Sequence, residues 1–170
     1  MDIEKQDNTK RICNILFGPS DAPEVAYKDC GMFLYTLAKY FSWKSTYVYY
    51  KTRESDTIWN QEFSSYVNTI CIGETSDYKK QIELAKIFLK EHIHEFDVIM
   101  FFNYGSTVWK LAKYCKQLKP DIIVYSKLDM GVGGFEHFCG NKPFMWLRNY
   151  AEKFKSRYVD LFTVETKSYH

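Results

Sequence analysis

Three short polar clusters each follow an apolar run, and each holds residue types that can handle a ligand. They are Gly18-Pro19-Ser20, Asn103-Tyr104-Gly105-Ser106 and Lys127-Leu128-Asp129. The first leads to the helix start Lys28-Asp29-Cys30-Gly31. A glycine turn beside a helix N-terminus aims backbone N–H groups and a positive dipole end at an anion, and Lys28 adds a charge. A plainer reading competes on equal terms: Gly18-Pro19 turns the chain and Asp29 caps the helix. In the second cluster, Asn103 and Tyr104 have the donors and acceptors to bind sugar hydroxyls, whereas Ser106 or Thr107 suits a helix cap. In the third, Lys127 and Asp129 are two apart on extended chain and so share a side. Such a pair is ordinarily a solvated ion pair, and its place at a strand end is what makes it a candidate. Glu165, after the last apolar run, could equally serve a helix start.

Other chemistry lacks its residues. No G-x-G-x-x-G follows the first apolar run and no G-x-x-x-x-G-K-[ST] occurs, which argues against a dinucleotide fingerprint or a P-loop. His92 and His94 are two apart on a predicted helix and face different ways, and all four histidines lack an evident partner, so neither metal nor cofactor is expected. Gly131, Gly133 and Gly134 mark a flexible or phosphate-approaching loop, a weak signal alone. The five cysteines, odd in number and mostly inside apolar runs, read as reduced and structural.

The elements that position these clusters alternate. Strands are predicted at 11–17, 45–51, 69–72, 97–102, 121–126 and 159–164, the fourth, fifth and sixth as buried runs. Helices are predicted from about Asp29, over 77–94, over 105–118 and from Pro143 to about Arg157. The stretch 52–66 reads as either a short helix or a surface loop. This alternation predicts an α/β domain: a Rossmann-like open parallel sheet of six or more strands with helices on both faces. Ligands of such sheets bind beyond the carboxyl ends of the strands, where all three clusters fall.

The 170 residues suit one domain, and 46% hydrophobic with 26% charged residues is a globular balance. A net charge of +2 with mixed signs argues against a nucleic-acid partner. Residues 1–10 are polar and lack the apolar core of a secretory signal, so a cytoplasmic location is expected. The last residues, 165–170, open a helix with no apolar stripe behind it, which reads as one half of a larger two-domain enzyme.

Four stretches carry a resemblance: KDCGM at 28–32, FDVIMFFN at 96–103, VYSKLDM at 124–130 and VDLFTVETK at 159–167. In order and spacing they resemble the N-terminal domain of GT-B glycosyltransferases of the family 4 (group 1) type, retaining enzymes of polysaccharide assembly. The resemblance implies an acceptor-side domain spanning 1–170, with a C-terminal nucleotide-sugar domain absent from the chain. It implies Asp129 and Lys127 as catalytic candidates, and Gly18, Lys28, Asp29, Gly31, Asn103, Tyr104 and Glu165 as substrate-binding ones. Many relatives carry a His just ahead of the Asp position, where this chain has Lys127-Leu128-Asp129. The implied partners are a glycan or lipid-linked saccharide acceptor and a nucleotide-sugar donor held by the other domain. Peripheral association with the inner face of a membrane and self-association through the cleft face are further expectations. A subunit of a split transferase and a stand-alone Rossmann-like binding module remain alternatives.

Overall fold

The computed structural model describes residues 9–22, 25, 27–52, 59–102, 105–128, 150–151 and 153–164, and of Asp29, Leu128 and Val164 the backbone alone. Of the candidates above, Asn103, Tyr104, Asp129 and Glu165 lie outside the described residues, as does the glycine loop at 131–134. In chain order the elements are β1 (Arg11–Ile15), α1 (Asp29–Phe41), β2 (Lys44–Lys51), α2 (Gln61–Tyr66), β3 (Val67–Glu74), α3 (Tyr78–His92), β4 (Val98–Phe102), α4 (Ser106–Leu118), β5 (Ile123–Leu128) and β6 (Leu161–Val164). The six strands form one sheet in the order β3-β2-β1-β4-β5-β6, every pair parallel. This is the α/β Rossmann-like architecture, and it places the topological switch point between β1 and β4.

The two-residue period of the strands divides the core between two faces. Ile12 of β1 and Leu16 just after it, with Val98 and Met100 of β4, pack under α1 and α2 beside Leu34 and Phe63. Cys13, Ile15, Ile99 and Phe101 point the other way, into a cluster with Ala85, Phe88 and Leu89 of α3 and Val108, Leu111 and Cys115 of α4. Burial on both faces is why these strands read as continuous apolar runs. Full burial of a side chain such as Phe101 contributes about 1.5–3 kcal/mol.

Several boundaries differ from the sequence reading. Within 52–66 the chain forms the short helix α2, where the Asn60 side chain accepts from the Glu62 amide at 2.8 Å. Residues 53–58 lie outside the described set. β3 runs beyond 69–72 at both ends because pairing with β2 recruits the poor strand formers Asn68 and Glu74, opposite Thr46 and Lys51. β5 begins at Ile123 rather than Asp121, since a turn holds the Ile122 amide on the Lys119 carbonyl, and it ends two residues later than expected. Lys127 therefore stands within the strand, opposite Phe102, rather than after it.

β6 is also not the buried strand its composition predicts. It pairs only with β5 among the described strands, and Leu161 and Phe162 remain 54% and 41% exposed. His92 does have a partner, with Nδ1 2.7 Å from Glu95 Oε1. Cys13, Cys30 and Cys115 are buried and reduced, whereas Cys71 on β3 is exposed. Among the described residues no helix is long and apolar enough to cross a membrane.

Among the buried polar residues, Asn14 breaks the apolar pattern with a whole amide group. Asn14, in the middle of β1 between Tyr47 and Met100, is fully buried, and neither amide atom has a hydrogen-bond partner among the described residues. Leucine has the same number of side-chain heavy atoms and no polar ones. Asn14→Leu is therefore expected to stabilise the chain by about 1–2 kcal/mol, because a desolvated amide without partners opposes folding. Urea unfolding checks this, and a fall in the midpoint would mean that buried water satisfies the amide.

Candidate functional site at the carboxyl ends of the sheet

The segment after β1 is tied down by its own polar side chains. Ser20 Oγ accepts from the Tyr50 amide at 3.0 Å, and the Ser20 carbonyl accepts from the Tyr47 hydroxyl at 3.0 Å. Asp21, also buried, accepts from the amide and hydroxyl of Thr52 at 2.8 and 2.6 Å. Together they strap the loop across the carboxyl end of β2. Gln81, buried in the first turns of α3, fixes the Gly18 end: its Oε1 accepts from the Gly18 amide at 2.8 Å, and its Nε2 donates to the carbonyls of Gly18 and Thr75.

The Gly18 amide is thus already engaged by protein. What Gly18 offers a ligand is shape: its φ is +85°, and among the described residues no atom beyond its chain neighbours lies within 4 Å of where a Cβ would stand. Gly105, at the start of the helix after β4, matches it with φ +138° and the same open space. Two glycines with open surroundings therefore follow the two strands of the switch point, where chain connections diverge and a crevice forms. Backbone at φ +138° and ψ −174° is a region almost confined to glycine. Gly105→Ala is expected to lower stability by about 1–3 kcal/mol through backbone strain, since no described residue beyond its chain neighbours would meet the new Cβ. A thermal melt checks it, and an unchanged midpoint would mean that the loop relaxes.

The helix starts around the crevice differ from those elsewhere. α2 and α3 have side-chain caps; Asp77 accepts from the amides of Lys79 and Lys80, and these bonds hold its carboxyl below the usual range. α1 and α4, which follow the switch-point strands, have none: their N-cap residues are Lys28 and Gly105, without a side-chain cap bond. Ser106, expected as a cap, is instead the first helical residue, and Asp29 likewise opens α1. The first-turn amides of both helices are left to backbone, solvent or ligand. Lys28 is exposed beside the α1 amides, and Gly31 is buried one turn in.

Lys127 reaches the same end of the sheet from β5, its Nζ 5.6 Å from the centroid of the Phe102 ring. Phe102 packs against the α1-side cluster, so the half-buried Lys127 flanks the crevice on that face. On the α3 side the rim is aromatic: Phe17 lies 5.6 Å from the exposed Tyr78 and 6.0 Å from Tyr50. The structure therefore brings Gly18, Lys28 and Lys127 to one end of the sheet. It adds Tyr78 and Gln81, which sequence reasoning passed over because helical periodicity explained α3 by its buried stripe alone.

Two other features carry less. Burial pushes the Cys13 thiol up and that of Cys115 up to about 12, so neither is a nucleophile. A groove of about 440 Å³ lies at the opposite end of the sheet, lined by Arg11, Lys44, Thr46, Tyr66, Asn68 and Glu95. Its residues come from separate segments, so no local motif announces it. It sits at the amino ends of β1–β3, away from the end where parallel sheets hold ligands. Among the described residues, no group of three or more histidines, cysteines or carboxylates could hold a metal ion. A scan against protein-family models finds no match for this chain, and a search of curated proteins finds none either.

Proposed function

We propose that this chain is the acceptor-side half of a retaining glycosyltransferase, which receives a glycan or lipid-linked saccharide while a nucleotide-sugar is held by a second domain or subunit. The observation that carries the reading is the switch point itself, where α1 and α4, the helices that follow β1 and β4, start without side-chain caps and no described residue would meet a Cβ at Gly18 or Gly105. Four sequence stretches resemble such enzymes, and three of them, 96–103, 124–130 and 159–167, run past the carboxyl ends of β4, β5 and β6.

In this reading the chain supplies position. Polar groups at the strand ends hold the acceptor so that one hydroxyl faces the anomeric carbon of the donor, and the aromatic rim at Phe17 and Tyr78 offers an apolar sugar face a surface. Lys127 and Asp129 are proposed to orient that hydroxyl, with Lys28, Asp29, Gly31, Asn103, Tyr104 and Glu165 contributing to the same wall. Residues 1–170 alone should not transfer sugar, because a single Rossmann-like domain supplies one wall of such a cleft.

An amide-resolved NMR titration tests the reading. Octyl glycosides of glucose, galactose and N-acetylglucosamine, used as soluble acceptor analogues, should move the amide signals of Gly18, Gly105 and Lys127, whereas UDP-glucose should move none of them at comparable concentration. Saturable micromolar binding of UDP-glucose would favour a stand-alone nucleotide module, and glycoside shifts confined to other regions would remove the acceptor site.

A further inference from the structure

The groove at the amino ends of β1–β3 has the size and the lining of a small-ligand site. Its volume of about 440 Å³ falls within the range of about 300–1,000 Å³ that such pockets occupy. Arg11 opens β1 and Lys44 opens β2, and the two are register partners, so two exposed cations start side by side on the groove wall. Like charges placed opposite each other on neighbouring strands oppose the pairing they sit in. An anion between them turns that repulsion into attraction. A guanidinium has five donors and an ammonium three, so contacts that each makes within the protein leave donors for a ligand.

Neutral polar groups stand beside the two cations. Ser45, next to Lys44, lines the groove and is only 3% exposed, and its hydroxyl has no hydrogen-bond partner among the described residues. A buried hydroxyl in that state opposes folding, and rotation about a single bond carries it to a new partner. Asn68, exposed near the start of β3 opposite Thr46, adds an amide that both donates and accepts. Tyr66, 42% exposed, adds an aromatic ring. The nearby acids have partners of their own: Glu95 Oε1 lies 2.7 Å from His92 Nδ1, and Asp97 Oδ2 accepts from the Arg11 amide at 2.9 Å.

Two cations select an anion, and the hydroxyl and amide groups beside them select what the anion is carried on. A phosphate on a polyol satisfies both, because charge-assisted bonds hold the phosphate oxygens while the neutral groups exchange hydrogen bonds with hydroxyls. We propose that this groove binds a small phosphorylated sugar, with its phosphate between Arg11 and Lys44 and its hydroxyls on Ser45 and Asn68. The site lies at the end of the sheet away from the switch point, so it stands or falls independently of the transferase reading.

Ribose 5-phosphate is the probe, with ribose and inorganic phosphate as its two halves. An amide-resolved NMR titration of the whole chain should show saturable shifts at Arg11, Lys44, Ser45 and Asn68, with Gly18 and Gly105 unmoved. Either half alone should bind at least about tenfold more weakly, since each lacks one set of contacts. Arg11→Gln/Lys44→Gln should weaken binding by about tenfold or more per charge removed, with an unchanged circular dichroism spectrum because both side chains are exposed. Ser45→Ala should weaken binding by about two- to tenfold while the thermal midpoint holds or rises, since the hydroxyl removed has no partner among the described residues. The proposal is overturned by the absence of saturable shifts, by shifts that centre on Gly18 and Gly105, or by binding that either variant keeps at the parent's strength. Inorganic phosphate binding as tightly as ribose 5-phosphate would also overturn it, leaving a simple ion site. So would a lower midpoint for Ser45→Ala, because a structural water would then hold the hydroxyl.

Discussion

Gln81→Met should lower the unfolding free energy of the chain by about 3 kcal/mol, a large loss for one side chain. Methionine keeps the length and volume of the side chain, so little cavity or overpacking effect is added. What disappears is polar: an acceptor for the Gly18 amide and a donor to the carbonyls of Gly18 and Thr75. Gln81 is fully buried, so water does not readily replace it, and each buried group left without a partner costs about 1–3 kcal/mol. Urea unfolding gives the magnitude, and NMR should show the Gly18 amide shifting and exchanging faster. A loss under about 1 kcal/mol would mean that Ser20 and Asp21 hold the loop without the clamp, and that backbone bonds to solvent replace those to Gln81.

The second large effect concerns activity. When this chain works together with a donor-binding half, Lys127→Met should reduce the initial rate of sugar transfer by up to about a hundredfold, the scale on which small misplacements of a reacting group act. Stability should hardly change. Lys127 is half-buried, and its contact with the Phe102 ring, 5.6 Å from the centroid, is worth only about 0.5–1 kcal/mol. Thermal midpoint and initial rate are measured on the same preparations. A rate within about twofold of the parent, with melting unchanged, would reduce Lys127 to a surface cation, since a true orienting group acts on the hundredfold scale.

Much of the fold was legible in order of residues. The apolar runs at 97–102 and 121–126 and the periodic stripe through Ile82, Ala85 and Leu89 each became elements of the expected type, because burial on both sheet faces or on one helix face leaves a direct trace in sequence. Boundaries were less legible. β3 gained Asn68 and Glu74 from its partner strand, and β5 moved two residues toward Lys127 because the turn at 119–122 and its register with β4 outweighed composition. Caps followed the same logic: Ser106 had the right chemistry, but the backbone of Gly105 takes the cap position.

The candidate site divides in the same way. Gly18, Lys28 and Lys127 could be named as candidates because a turn, a helix start and a strand's last residues are visible locally, whereas Asn103, Tyr104, Asp129 and Glu165 lie outside the described residues. Gln81 and Tyr78 could not be found by that route, since their partners Gly18 and Phe17 lie more than sixty residues earlier in the chain. Sequence by itself determined the alternation of strands and helices and that the sheet is parallel, because these follow from periodicity and from chain connections that have room only to cross over. Tertiary structure alone decided the order β3-β2-β1-β4-β5-β6, the switch point it sets between β1 and β4, and the exposure of β6 at the edge. Neighbours in a sheet are chosen by long-range pairing and by where helices leave a face uncovered, and neither is written in any local stretch of residues.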